Sequence, residues 1–204
     1  MIKHTLKVRE VSAIIAAFVS LVLIICCVSF IAFKSEKEET DTLDKIREAY
    51  PGIKDKEHVF EEITASELLY MLENKQTGVV VMGFPGCPWC RALMPVLNET
   101  AKENGLTKVA YLDIKDIRDN EENPSHQEYL VIKEILKECL DKEKDRINAP
   151  TVIAIKNGEL VAYHLNTVPS HVMNDSNVLP EMTNEQITEL KKILSELITK
   201  THNA

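Results

Sequence analysis

The chain has 204 residues, 45% of them hydrophobic, enough for one well-buried domain with additional segments. Its formal net charge of −8 speaks against a nucleic-acid-binding protein, since no basic patch is present to meet a phosphate backbone. Five unevenly placed cysteines are too few for a disulfide-stapled scaffold.

Residues 1–10 carry Lys3, Lys7 and Arg9, and residues 11–33 follow without a single charge. A helix of that length covers a little over roughly 30 Å, enough to cross the hydrocarbon of a bilayer. A buried soluble helix is rarely apolar on every face. A cleaved signal peptide is the better rival, but its apolar stretch is usually only about 7–15 residues long and ends in a small-x-small site. Here Ile31-Ala32-Phe33 closes the run. Cys26 and Cys27 read as apolar residues of the span. Basic residues stay cytoplasmic, and the segment after the span is mixed and acid-rich. The expected location is therefore the cell membrane, single-pass, with the bulk of the chain extracytoplasmic, where disulfides persist.

Residues 34–56 read as a charged linker with a short helix near Leu43–Tyr50, stopped by Pro51-Gly52; the folded domain is expected at 57–204. A strand is expected over His58–Ile63. Thr64-Ala65-Ser66-Glu67 has capping-box spacing ahead of the stripe Leu68, Leu69, Leu72. Val79–Met82 is a continuous apolar run, suited to a central strand covered on both faces. A helix follows from Pro88 to Asn104, ended by Gly105, and Val109–Ile114 is a second buried strand. Pro124-Ser125 opens a helix with Tyr129, Ile132, Leu136, Cys139 and Leu140 on one side, within a helical insertion spanning about 115–148. Thr151–Ile155 and Glu159–His164 flank Asn157-Gly158, a hairpin signal. Residues 166–180 are loop-like, and Thr183–Gln186 caps a last helix with Ile187, Leu190, Ile193, Leu194 and Leu197 on one face. This order implies an α/β domain: a mainly parallel sheet with helices on both sides and an antiparallel hairpin edge.

The chemistry centres on Cys87-Pro88-Trp89-Cys90, placed between a buried strand and a helix. Pro88 stands where the first helical residue belongs. Unpaired amides and the positive end of the helix dipole favour a thiolate at Cys87. Cys90, one turn deeper on the same face, is within plausible disulfide reach. Arg91 adds a nearby positive charge or faces solvent. A zinc site would want four ligands, whereas Cys139 stands alone and the histidines are scattered. No metal or cofactor is expected. A purely structural disulfide over so short a hop would remove almost no chain entropy. Exchange through a mixed disulfide on Cys87, resolved by Cys90, is the favoured reading.

The stretches GVVVMGFPGCPWCRALMPVLNETA and NAPTVIAIKNGELVAY together resemble the thioredoxin superfamily, over about His58 to Lys200. They are particularly similar to membrane-anchored thioredoxin-like bacteriocin transport accessory proteins. The resemblance implies a thioredoxin-like fold, a mixed central sheet flanked by helices, here preceded by one transmembrane helix. It implies Cys87 as the exposed nucleophile, Cys90 as the buried resolving thiol and Pro95 as a helix-kinking proline, for which a helix boundary is the alternative. It also implies a cis peptide bond before Pro150, with Ala149 offering its backbone to an extended substrate and Trp89 beside it. Two departures stand out: Val81 where a buried aspartate is common, and Gly86 where an aromatic residue is usual. Pro88-Trp89 resembles the glutaredoxin dipeptide and implies a less reducing poise than thioredoxin's. Cys139 reads as buried packing, with a third redox thiol as the alternative.

The leading expectation is a membrane-tethered thiol–disulfide oxidoreductase acting on cysteine-containing secreted polypeptides, exported bacteriocins among them by resemblance. It would be reset by a redox partner not specified by the sequence. The alternatives are a non-catalytic peptide-binding accessory module of an export or immunity system and a reductant facing the cytoplasm.

Overall fold

Three apolar runs form the middle of a five-stranded sheet. The computed structural model describes residues 45–202 apart from Lys142. The predicted cytoplasmic start, membrane anchor and first part of the linker (residues 1–44) lie outside the described residues. Among those described, no helix is long and apolar enough to cross a membrane. The strands are β1 (Phe60–Glu62), β2 (Gly78–Gly83), β3 (Val109–Asp113), β6 (Thr151–Lys156) and β7 (Glu159–Leu165), in the spatial order β1-β3-β2-β6-β7. β1 and β2 run parallel to β3, while β6 is antiparallel to both β2 and β7. A pair of two-residue strands, β4 (Leu140–Asp141) and β5 (Arg146–Ile147), forms a separate small sheet.

Because side chains alternate across a strand, the apolar runs supply two cores at once. Val79, Val81, Val109, Tyr111, Val152 and Ala154 face one layer, built on α2 (Pro88–Glu103) and α5 (Asn184–His202). Val80, Met82, Ala110, Leu112, Ile153 and Ile155 face the other, built on α1 (Ala65–Glu73) and α4 (His126–Ile135). The domain is thus α/β, with a mixed central sheet flanked by helices.

The helix starts follow the capping chemistry of the sequence. Glu67 N–H donates to Thr64 Oγ1 (3.2 Å) and Thr64 N–H to Glu67 Oε2 (2.7 Å), a complete capping box. Thr183 and Gln186 repeat the exchange at α5, at 3.3 and 2.9 Å. The β6–β7 turn takes Asn157 and Gly158 at φ of 53° and 82°, the twist a two-residue hairpin requires. A Cβ on Gly158 would also lie 2.2 Å from the Leu72 carbonyl oxygen, so only glycine fits.

Two expectations are corrected. Part of the segment read as linker belongs to the fold: Ile46, Tyr50 and Ile53 are 3%, 1% and 4% exposed. Residues 45–49 are helical, Tyr50 N–H donates to Ile46 O (2.9 Å), and the Tyr50 ring meets Tyr111 edge-on at 5.7 Å. Lys102 of α2 pairs with Asp55. The helix expected to run through Leu140 ends at Ile135; a 3-10 turn (Lys137–Cys139) then tightens the chain into β4. Leu136 and Cys139 stay fully buried through that change. A five-residue helix, α3 (Lys115–Asp119), opens the expected helical insertion. Pro95 lies inside α2, which continues to Glu103, so it marks no boundary.

The three buried side chains of residues 46–53 predict a boundary effect. At about 1.5–3 kcal/mol for each, a form beginning at residue 57 should be less stable than one beginning at residue 42 by at least about 4 kcal/mol. Urea unfolding of the two forms measures the difference, and equal midpoints would return the segment to linker status.

Candidate active site

The site forms where β2 ends and α2 begins. Cys87 occupies the N-cap, with extended backbone (φ −85°, ψ 118°), and Pro88 follows it into the helix. An N-cap side chain normally offers oxygen to a free amide of the first turn. Here sulfur does so: Cys90 N–H donates to Cys87 Sγ at 3.3 Å. Cys90 lies one turn on, 1% exposed. Its Sγ is 3.0 Å from where a Cβ on Gly83 would stand, so the lack of a side chain at Gly83 makes room for the second thiol.

β6 brings the third part. Its pairing with β2 sets Thr151 opposite Met82, so the preceding residues arrive at the start of α2. The Ala149–Pro150 peptide bond is cis, and the Cys87 thiol donates to Ala149 O at 3.2 Å. Cys87 is thereby recessed, 5% exposed, rather than the exposed nucleophile expected. Ala149, Phe84 and Trp89 lie partly buried against the same cluster, of which Val168 is a buried member.

The two thiols are electrostatically unlike. A hydrogen bond from Cys90, then the amides of Cys90 and Trp89 and the charge of Arg118, pull the Cys87 pKa down to about 7 despite burial. Burial first, then the neighbouring Cys87, pushes Cys90 far up. Val81 lies beneath the pair on the α2 face of the sheet. The polar groups there are Tyr50 and Tyr111, their hydroxyls 3.0 Å apart, with Asp113 on β3. Burial raises both tyrosines and Asp113.

The cation acting on Cys87 was missed by the sequence reading. Arg91 is exposed, because one residue past Cys90 the helix has turned its side chain toward solvent. Arg118 of α3 takes the role. Its side chain is only 6% exposed and grips Asp119 at 2.7 and 2.9 Å. It donates to Ile147 O (3.1 Å) and sits 5.6 Å from the Phe84 ring centroid, with Lys115 Nζ at 5.7 Å from the same ring. Phe84, three residues before Cys87, thus supplies an aromatic neighbour although Gly86 does not. No local pattern in the sequence marks Arg118; only its proximity in the fold does.

A groove of about 720 Å³ opens beside Cys87, lined by Trp89, Ala149 and both insertions. From the first come Arg118, Lys144, Arg146 and Asn148; from the second, residues 166–173 except Ser170. The second wall is stitched by histidines. His164 Nε2 donates to Thr167 O (2.7 Å), and His171 bridges Thr167 Oγ1 and Pro180 O, both at 2.8 Å. Another cavity, of about 590 Å³ between α1 and the end of α5, holds no cysteine. Cys139 packs in the core on the other sheet face, its thiol pushed up to about 12 by burial. Among the described residues no three His, Cys, Asp or Glu side chains are placed to hold a metal ion.

No protein-family model matches the chain, and no curated protein matches it.

Two measurements check the electrostatics. Alkylation of reduced protein by iodoacetamide should rise through a midpoint near pH 7 at Cys87, because the thiolate forms above its pKa, while Cys90 stays unreactive throughout. Arg118→Met removes a positive charge near the thiolate and should move the Cys87 midpoint to higher pH. An unmoved midpoint would leave Arg118 a purely structural role.

Proposed function

We propose that this chain is a thiol–disulfide oxidoreductase of thioredoxin-like fold, acting on cysteine-containing polypeptides. The single observation that carries the reading is a free thiol at a helix N-cap, its pKa lowered, with a second thiol one turn below and a cis-proline segment against it. The sheet order and the flanking helices are compatible with the fold. The tether by residues 11–33 and the extracytoplasmic placement rest on the sequence alone, as do exported bacteriocins as substrates.

In the reaction, the Cys87 thiolate attacks one sulfur of a substrate disulfide. A Cys87–substrate bond forms, and the other substrate sulfur leaves with the electron pair. Cys90, deprotonated, then attacks Cys87 Sγ and expels the second substrate thiolate. The protein ends as the Cys87–Cys90 disulfide, having given two electrons. Run backward, the same steps oxidise a substrate dithiol. Gly83 leaves Cys90 the space to reach Cys87, and the Ala149 carbonyl marks where a substrate backbone would lie along the thiol.

A second reading, a peptide-binding module with incidental thiols, draws on the groove and on the recessed position of Cys87. The two are separated by trapping. With Cys90→Ser the resolving step is lost, so mixed disulfides on Cys87 should accumulate in cells and be released by reductant. Recovering none, together with an intact phenotype in the Cys87→Ser/Cys90→Ser double variant, favours the binding module.

A nucleophile with pKa near 7 matches thioredoxin's and lies far above that of strongly oxidising exchangers. The reduction potential against glutathione should therefore fall between about −270 mV and about −180 mV, the thioredoxin and disulfide-isomerase values.

A further inference from the structure

The groove beside Cys87 has a charge opposite in sign to the chain around it. The protein carries a net −8, yet no carboxylate lines the groove among the described residues, while Arg118, Lys144 and Arg146 do. Asp119 is shared: it holds Arg118 at 2.7 Å and lies 3.7 Å from Arg146 Nη1. One carboxylate thus serves two guanidinium groups. The Arg146 side chain is 39% exposed, and its buried Nε has no acceptor. Lys144, 58% exposed, is 3.7 Å from Asp141, whose Oδ2 also accepts from Asn148 Nδ2 at 3.0 Å. The opposite wall is apolar at Val168, Val172 and Met173.

We propose that this groove selects polypeptide segments whose cysteine is flanked by acidic side chains, with Arg146 and Lys144 as the recognising cations and Arg118 as the buried residue that positions them. The proposal rests on the thiol–disulfide reading above and names its substrate class. An acidic flank lying along Ala149 meets a surplus of positive charge, Arg118, Lys144 and Arg146 against only Asp119 and Asp141, inside a cleft that concentrates their field. A basic flank meets repulsion there. The Arg118–Asp119 pair is saturated within the fold and contributes its place: it pins α3 to Ile147 O, next to Arg146 on β5.

The test uses the full chain in detergent, reduced, against two short synthetic peptides of equal length. Each carries one cysteine as a mixed disulfide with a chromophoric thiol, flanked by aspartates in one and lysines in the other. The attack by Cys87 releases the chromophore and gives a second-order rate. The acidic peptide should react at least about tenfold faster at low salt, and the ratio should shrink toward about one near 0.5 M salt, where the Debye length is only a few ångströms. Lys144→Glu, a change at an exposed side chain, should cut the acidic-peptide rate and narrow the ratio. Equal rates for the two peptides at low salt, or a preference untouched by salt and by Lys144→Glu, overturn the proposal. An uncharged small disulfide serves as control on the wild-type chain. If that control reacts and the peptides do not differ, the substrate proposal fails alone. If the control does not react either, the redox reading fails with it. A tenfold preference for glutathione disulfide over the acidic peptide would overturn the assignment to polypeptide substrates.

Discussion

A sulfur atom stands where the start of a helix calls for an oxygen, and the rest of the site depends on that substitution. The amide of Cys90 has no partner inside α2, so it turns to Cys87 Sγ at 3.3 Å. The bond satisfies the helix only as well as sulfur can accept, and it stabilises the thiolate more than the thiol. One interaction therefore serves folding and chemistry together. It holds because β2 is covered on both faces and delivers residue 83 to a fixed point under the helix.

The register of the sheet explains why so many separate segments meet there. Gly83 lies beside Asp113, Met82 opposite Thr151, and Thr151 opposite Leu165. The ends of β2, β3 and β7 and the start of β6 thus share one edge of the sheet. Residues 115–148 leave from β3 and return at β6; residues 166–180 leave from β7. Both insertions depart from that edge, so both wall the cleft beside Cys87 while also supplying core residues, Tyr129 and Ile132 on one sheet face and Val168 on the other. The acidic balance of the chain hides this, since net charge is a sum over the surface and the groove is a small part of it.

What could be read from the sequence was what is decided locally. The capping boxes at Thr64 and Thr183, the Asn157-Gly158 turn and the two-faced strands follow from neighbours a few residues away. Cys87 and Cys90 announced themselves by spacing, and Ala149–Pro150 only through resemblance to a family. The misreadings have a common cause in contacts between distant residues. The segment before residue 57 is dominated by charges, and among its described residues the fully buried apolar side chains are Ile46, Tyr50 and Ile53, at helical spacing. β4 and β5 are two residues each, too short to leave a period in the sequence. Arg91 is adjacent to the motif along the chain and Arg118 is not, yet the turn of α2 carries one away from Cys87 while α3 carries the other to it.

The pair also holds an ordering device for the proposed exchange. Cys90 is kept protonated first by burial and next by Cys87 itself, through their hydrogen bond and the thiolate's charge; Asp113 adds a smaller repulsion. In the resting thiol pair this arrangement leaves Cys87 the more easily ionised of the two, the thiol suited to open the proposed exchange. Once Cys87 is joined to a substrate sulfur it carries no charge, so its repulsion of a Cys90 thiolate is gone and the hydrogen bond that held the Cys90 proton is weakened. Burial and Asp113 remain the main opposition to ionisation of the resolving thiol. Cys90 becomes easier to deprotonate at the step that needs it, and stays masked at the step where a second nucleophile would compete. With Val81 in place of an acid beneath it, that release of repulsion is the change in driving force which the geometry itself supplies.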